Sequence, residues 1–181
     1  MAQACIAVIG AARAEPAQAA AAAELGAEIA RAGFSLVCGG MGGVMEAACD
    51  GLRRAREGGA APPHVRAIGI LPGDDRGRAN PYVDLVLPTG LGLARNVLVV
   101  LGGQAVIAVC GGSGTLSEIA LAWQHGRPIA LLGGVGGLHD DLGLAGRCLD
   151  DRFERPIFGA ATPADAVAWC AREIGASRAA P

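Results

Sequence analysis

The stretch AVIAVCGGSGTLSEIALAWQHGRP, residues Ala105–Pro128, decides the fold. Its apolar, partly β-branched opening, Ala105–Val109, has the length and texture of a strand buried on both faces. A glycine turn, Cys110–Gly114, leads into a segment of helical period. Leu116, Ile119, Ala120 and Trp123 fall at i, i+3, i+4 and i+7, one apolar stripe for packing on a sheet. Gly126 and Pro128 stop that helix. Strand, glycine turn and helix in this order leave backbone N–H groups free at the positive end of a helix dipole, where glycine lets a ligand come close. The stretch reads as an anion site, for a phosphate.

The same alternation runs outward in both directions. Strands are read at Cys5–Ile9, Phe34–Val37, Val65–Leu71, Val83–Leu87 and Ile129–Leu132, and helices at Pro16–Ala32, Val44–Glu57, Ala94–Leu101 and from Thr162-Pro163-Ala164-Asp165 to Ile174. His139–Arg155 is weakly patterned, with some helix, and Ala176–Pro181 reads as a frayed tail after one domain over 1–175. Strands and helices spaced this way imply right-handed crossovers: an α/β fold, a single Rossmann-like, doubly wound parallel sheet with helices on both faces. Glycines follow the strands at Gly10, Gly39–Gly43, Gly90–Gly92, Gly111–Gly114 and Gly133–Gly137. In a parallel sheet these turns gather along one edge, where such folds bind ligands. The G-x-G-x-x-G fingerprint is missing after the first strand, where Gly10-Ala11-Ala12-Arg13 stands, and the P-loop pattern is missing too.

Composition excludes several classes. Glycine stands at 29 of 181 residues against roughly 13 at average usage, and the excess sits at strand ends, so it is loop chemistry. A net charge of −2 and only six aromatic residues lack the basic face and stacking platforms of a nucleic-acid groove. No apolar run approaches the roughly 18 residues of a membrane span, and the N-terminus lacks the pattern of a signal peptide. Cys5, Cys38, Cys49, Cys110, Cys148 and Cys170 form no C-x-x-C pair and read as small hydrophobes in a reducing, cytoplasmic compartment. Neither they nor His64, His125 and His139 show metal-ligand spacing, so no metal and no cofactor is expected. His139-Asp140-Asp141 reads as a polar loop.

Three motifs carry a resemblance. Gly111-Gly112-Ser113-Gly114-Thr115-Leu116-Ser117-Glu118 resembles the GG-x-GT-x-x-E signature of the Lonely Guy (LOG), or lysine decarboxylase-like, superfamily. Gly39-Gly40-Met41-Gly42-Gly43-Val44-Met45-Glu46-Ala47-Ala48 resembles its first glycine motif in the molybdenum-cofactor-carrier-like branch. Asn80-Pro81-Tyr82-Val83-Asp84, Pro88-Thr89-Gly90-Leu91-Gly92 and Ala94-Arg95-Asn96 are similar to the same branch. The resemblance implies a phosphoribohydrolase, cleaving the N-glycosidic bond of a nucleoside 5′-monophosphate to free base and ribose 5-phosphate. The alternative is a non-catalytic carrier of molybdenum cofactor, a phosphorylated pterin, or of another phosphorylated ligand.

For the hydrolase, the resemblance implies Arg95 and Glu118 as catalytic residues. Gly39, Gly40, Gly42, Gly43, Gly111, Gly112, Ser113, Gly114 and Thr115 become the phosphate- or nucleotide-binding set, and Glu46, Asn96 and Gly10 are further candidates. The chain departs from the LOG pattern at Cys110, where the family has proline. Ser117 stands in place of a glutamate, and Asn96 in place of the lysine after the arginine. These positions border base and ribose, against a cytokinin substrate.

The chemistry stands beside the resemblance. Breaking a ribosyl C–N bond builds positive charge on the sugar, which a carboxylate stabilises, and an arginine clamps phosphate bidentately. Thr115-Leu116-Ser117-Glu118 also reads as a capping box, with Glu118 in the first turn of the helix. Glu46 either faces the cleft or favours the helix dipole. Val44, Met45, Ala47, Ala48 and Leu52 in one helix, and Leu121 and Ala122 in another, exceed what one sheet face covers. That surplus points to a homodimer or higher homo-oligomer, with Met45 or Leu121 between subunits.

Overall fold

A computed structural model describes residues 4–179. Its strands are β1 (Cys5–Ile9), β2 (Ser35–Cys38), β3 (Ala67–Leu71), β4 (Leu85–Pro88), β5 (Ala105–Ala108), β6 (Ile129–Leu132) and β7 (Phe158–Ala160). Its helices are α1 (Pro16–Arg31), α2 (Val44–Glu57), α3 (Asn96–Gly102), α4 (Ser113–Gln124), α5 (Leu138–Asp141) and α6 (Pro163–Ala179), with 3-10 turns at Arg76–Arg78 and Gly92–Arg95. The sheet runs β4-β3-β2-β1-β5-β6-β7 and every pair is parallel. The chain winds outward from β1 through β2, β3 and β4, then restarts on the other side with β5. Between β1 and β5 lies the point where the winding reverses, and the carboxyl ends of the strands splay there into a crevice.

Strand residues alternate between two cores. Ile6 and Val8 face the layer of α1, α2 and α6, while Ala7 and Ile9 face α3 and α4. Two glycines let α1 and α2 touch backbone to backbone. A Cβ on Gly26 would lie 2.7 Å from the Ala48 carbonyl carbon, and one on Gly51 2.7 Å from that of Ala23. The last helix has the predicted cap: the Asp165 N–H donates to Thr162 Oγ1 at 3.1 Å.

Several expectations are corrected. β7 was not legible, because Phe158-Gly159-Ala160 carries no β-branched residue. α6 continues through Ala179, so residues 176–179 are helix and not a frayed tail; 180 and 181 lie outside the described residues. α4 begins at Ser113 with Gly112 as its N-cap and no side-chain cap, which puts Glu118 in the second turn and removes the capping box. The inward face of α4 is Thr115, Glu118, Ile119, Ala122 and Trp123, while Leu116, Ala120 and Leu121 are half-buried. The stripe is rotated because Thr115 and Glu118 turn toward the crevice. Trp123 is core, with its Nε1–H donating to Asp150 Oδ1 at 2.6 Å.

Val44, Met45, Ala48 and Leu52 are covered within the chain by the sheet and α1, so Met45 is not left for a subunit contact. Cys148 is exposed, against the reading of the cysteines as buried hydrophobes, and His139 is buried, against the reading of a polar loop. No helix among the described residues is long and apolar enough to cross a membrane.

Candidate functional site

The crevice is a recess of about 220 Å³ whose walls come from the three strand ends nearest the winding reversal. Gly10, Ala11 and Ala12 follow β1, Gly39 follows β2, and Gly112, Gly114 and Thr115 follow β5. Met45 and Leu93 close its sides, and Arg95, Asn96 and Glu118 supply its polar groups.

The anion end is the start of α4. Its first-turn N–H groups have no side-chain cap, and Gly112 and Gly114 have nothing within 4 Å of where a Cβ would stand. Those donors are left for a ligand or water. The turn before them is held from behind. Gly111 sits at φ +135°, where a Cβ would meet the Thr115 side chain at 2.8 Å, and its carbonyl accepts the Leu138 N–H at 2.8 Å. The loop over residues 133–137 is tied in turn to α1, where Gln18 Nε2 donates to the Val135 carbonyl at 2.9 Å.

Arg95 ends the 3-10 turn ahead of α3 and points into the recess. It is only 9% exposed, and among the described residues its Nε and Nη1 have no hydrogen-bond partner. A buried guanidinium with two idle donors is costly unless something anionic completes it. Gly39 makes room for it: a Cβ there would lie 2.7 Å from Arg95 Cζ. Burial lowers the Arg95 pKa and the charge of Glu118 opposes that, while the guanidinium stays protonated at any ordinary pH.

Glu118, 7% exposed, is the carboxylate of the recess. Burial pushes its pKa up to about 7, with Arg95 pulling the other way. No ion pair within 4.0 Å joins the two among the described residues; they line the same recess and act on each other's charge through space. Asn96 is buried and braces α3 against α4, with its Nδ2 donating to Ser117 Oγ at 3.4 Å; Ser117 Oγ donates to the Gly114 carbonyl at 2.6 Å.

The other sequence candidates take different places. Gly40, at φ +70°, packs on Leu71 and Gly69, and Gly43, at φ +66°, packs on the Ala11–Ala12 backbone, so both shape the turn without lining the recess. Asn80 staples that turn through its N–H to the Gly40 carbonyl and its Nδ2 to the Met41 carbonyl, both at 2.9 Å. Gly10 lines the recess and lies against Val44. Ser113 is exposed at the mouth of the turn. Sequence reading missed Val8, Ile9, Ala11, Ala12, Met45 and Leu93 as lining residues; Leu93 is 81% exposed, and its place directly after the Gly90–Gly92 turn was its only signal. His139 lies outside the recess, with Nε2 3.7 Å from Asp140 Oδ1.

With this geometry in view, the sequence matches the model of the SLOG cluster4 family over residues 3–153. The chain belongs to the SLOG cluster4 family. It is 32% identical to the molybdenum cofactor binding protein of Rippkaea orientalis, with a TM-score of 0.80 over 96% of this chain and 99% of that one. It is equally similar to the molybdenum cofactor carrier protein of Chlamydomonas reinhardtii, at 32% identity and a TM-score of 0.77 over 97% and 99% of the two chains. An uncharacterized protein of Archaeoglobus fulgidus is 40% identical over 108 residues, 60% of this chain and 66% of that protein, so the match spans just under two thirds of its length. DNA processing protein A of Helicobacter pylori, described as binding single-stranded DNA, shares the fold alone, at 21% identity and a TM-score of 0.65 over 94% and 81% of the two chains. SLOG cluster4 membership and likeness to the two molybdenum cofactor proteins agree with the LOG superfamily and its carrier-like branch.

Proposed function

We propose that this SLOG cluster4 protein binds the 5′-phosphate of a nucleoside monophosphate at the first turn of α4 and hydrolyses its N-glycosidic bond. One observation carries the reading: Glu118, poised near pH 7, and Arg95, with two idle donors, face the same recess as an uncapped helix N-terminus. The phosphate takes the N–H groups of residues 113–115 and the charge of Arg95. The ribose then lies over Glu118. As the C1′–N bond breaks, its electron pair leaves with the base nitrogen and the sugar becomes oxocarbenium-like. Ionised Glu118 stabilises that charge and accepts a proton from the attacking water; protonated Glu118 is able to donate to the departing base. A pKa near the operating pH suits either role. The products are free base and ribose 5-phosphate.

The test is to incubate the full chain with a panel of nucleoside 5′-monophosphates and assay free base. Release in the wild type, with kcat lowered about 10²–10⁴-fold in Glu118→Gln, supports the reading. The second reading is a carrier that holds a phosphorylated pterin without turnover. It is favoured by 32% identity to two molybdenum cofactor proteins along nearly the whole chain. Tight binding of phosphorylated ligands with no base released from any of them would overturn the hydrolase and leave the carrier.

A further inference from the structure

Beside the crevice lies a second recess, of about 440 Å³, lined by Arg13, Gly43, Glu46, Ala47, Asp50 and Tyr82 among others. The seam between the two is the contact of Ala11–Ala12 with Gly42–Gly43, fixed by the Val44 N–H donating to the Ala11 carbonyl at 3.0 Å. Two acceptors converge over that seam. The position of a Cβ on Gly42 lies 3.4 Å from the Ala12 carbonyl oxygen and 3.6 Å from Glu46 Oε2. Glycine leaves the point open.

Neither acceptor is spent elsewhere among the described residues. The carbonyl bonded to Val44 is that of Ala11, not Ala12. Asp50, one turn beyond Glu46, is paired with Arg53 at 2.8 Å and Arg54 at 3.1 Å, whereas Glu46 has no ion pair among the described residues. Tyr82 offers a flat apolar wall, its ring backed by the Arg53 guanidinium at 5.1 Å, and Arg13 brings a donor to the same recess.

We propose that Glu46 and the Ala12 carbonyl read the donor edge of a 2-amino-4-oxo ring, the edge shared by guanine and pterins, on the phosphorylated ligand of the crevice. This rests on the phosphate reading of the α4 turn and adds the ring that the ligand carries. A carboxylate accepts from the exocyclic amine and the neighbouring ring N–H together, and the backbone carbonyl takes the amine's second hydrogen. Arg13 is the donor for the oxo group. Size and reach agree. The crevice, at about 220 Å³, is smaller than the roughly 300 Å³ or more of a complete small-ligand site, so a phosphosugar fills it and the ring extends beyond. From the end of β5 to the end of β2 is two strand spacings, about 10 Å, comparable with the distance from a 5′-phosphate to the far edge of its base.

The experiment is calorimetric titration of the full chain carrying Glu118→Gln, to stop turnover, with and without Glu46→Gln. The probes are ribose 5-phosphate, inosine monophosphate, guanosine monophosphate and dihydroneopterin monophosphate. The expected result is that at least one of the last two binds about tenfold or more tightly than inosine monophosphate, which lacks the amine. Whichever of the two shows the preference identifies the source of the ring. Glu46→Gln should bring the ratio within about threefold and leave ribose 5-phosphate unchanged. Equal affinity for all three ring-bearing probes, with ribose 5-phosphate still bound, overturns this inference alone. Failure of ribose 5-phosphate and of every other probe to bind overturns it together with the phosphate reading.

Discussion

Gly39 and Arg95 are one unit at the scale of residues. Gly39 does not occupy a left-handed conformation, so alanine suits its backbone, and the three atoms nearest the added methyl all belong to the far end of the Arg95 side chain. Gly39→Ala should therefore push the guanidinium aside without unfolding the protein. Titration with ribose 5-phosphate should show about tenfold or greater weakening, with a change in Tm of no more than a few degrees. Glu118 makes a prediction about pH. Its pKa is about 7 in the folded chain against 4.5 ordinarily, so between those values the folded state binds more protons than the unfolded state. Stability then falls as pH rises through this window, by about 3 kcal/mol in all. Glu118→Gln should remove that slope. Urea unfolding at pH 4.5 and pH 8 should show the wild type losing stability relative to the variant; parallel curves would mean that the carboxylate is not held in a desolvated site.

At the scale of elements, α4 carries the anion site and the α1–α2 contact carries stability. Gly51→Ala inserts a methyl into the backbone of α1 and should cost about 1–3 kcal/mol in chemical denaturation, with the crevice untouched. The two kinds of glycine differ in how far they were readable. Gly111–Gly114 stood out because a buried strand precedes them and a helix follows. Gly26 and Gly51 sit inside helical runs, where nothing local separates close packing from chance. The rotation of α4 was hidden for a related reason. Leu116 and Ala120 fit an apolar stripe, but Thr115 and Glu118 are buried because the crevice needs them there, and period alone cannot see a functional side chain turned inward. Strand order followed from the alternation only as far as a parallel sheet. The placing of β5 beside β1, which makes the crevice, depends on long-range pairing.

For the whole molecule, six of the eight exposed large apolar residues of the described chain, Leu85 and Leu87 of the edge strand, Leu91, Leu93, and Leu98 and Leu101 of α3, fall within residues 85–101; Leu142 and Leu149 are the others. Exposed leucines in such number suit contact with a second copy of the chain, which moves the expected contact away from Met45 toward β4 and α3. We expect a dimer or larger assembly by light scattering, and a fall to monomer mass in Leu98→Glu/Leu101→Glu; an unchanged mass would place the interface elsewhere. A ligand's phosphate on the first turn of α4 is the interaction on which the proposed chemistry depends. Gly114 tests it most directly, because beyond its chain neighbours and the backbone of α4 itself no atom stands within 4 Å of where its Cβ would be. Gly114→Val should fold as the wild type does and fill only the space above the helix N-terminus. Calorimetric titration of both proteins with ribose 5-phosphate should show saturable binding in the wild type and at least tenfold weaker binding in the variant, at nearly equal Tm. Equal affinities in two folded proteins would contradict the account.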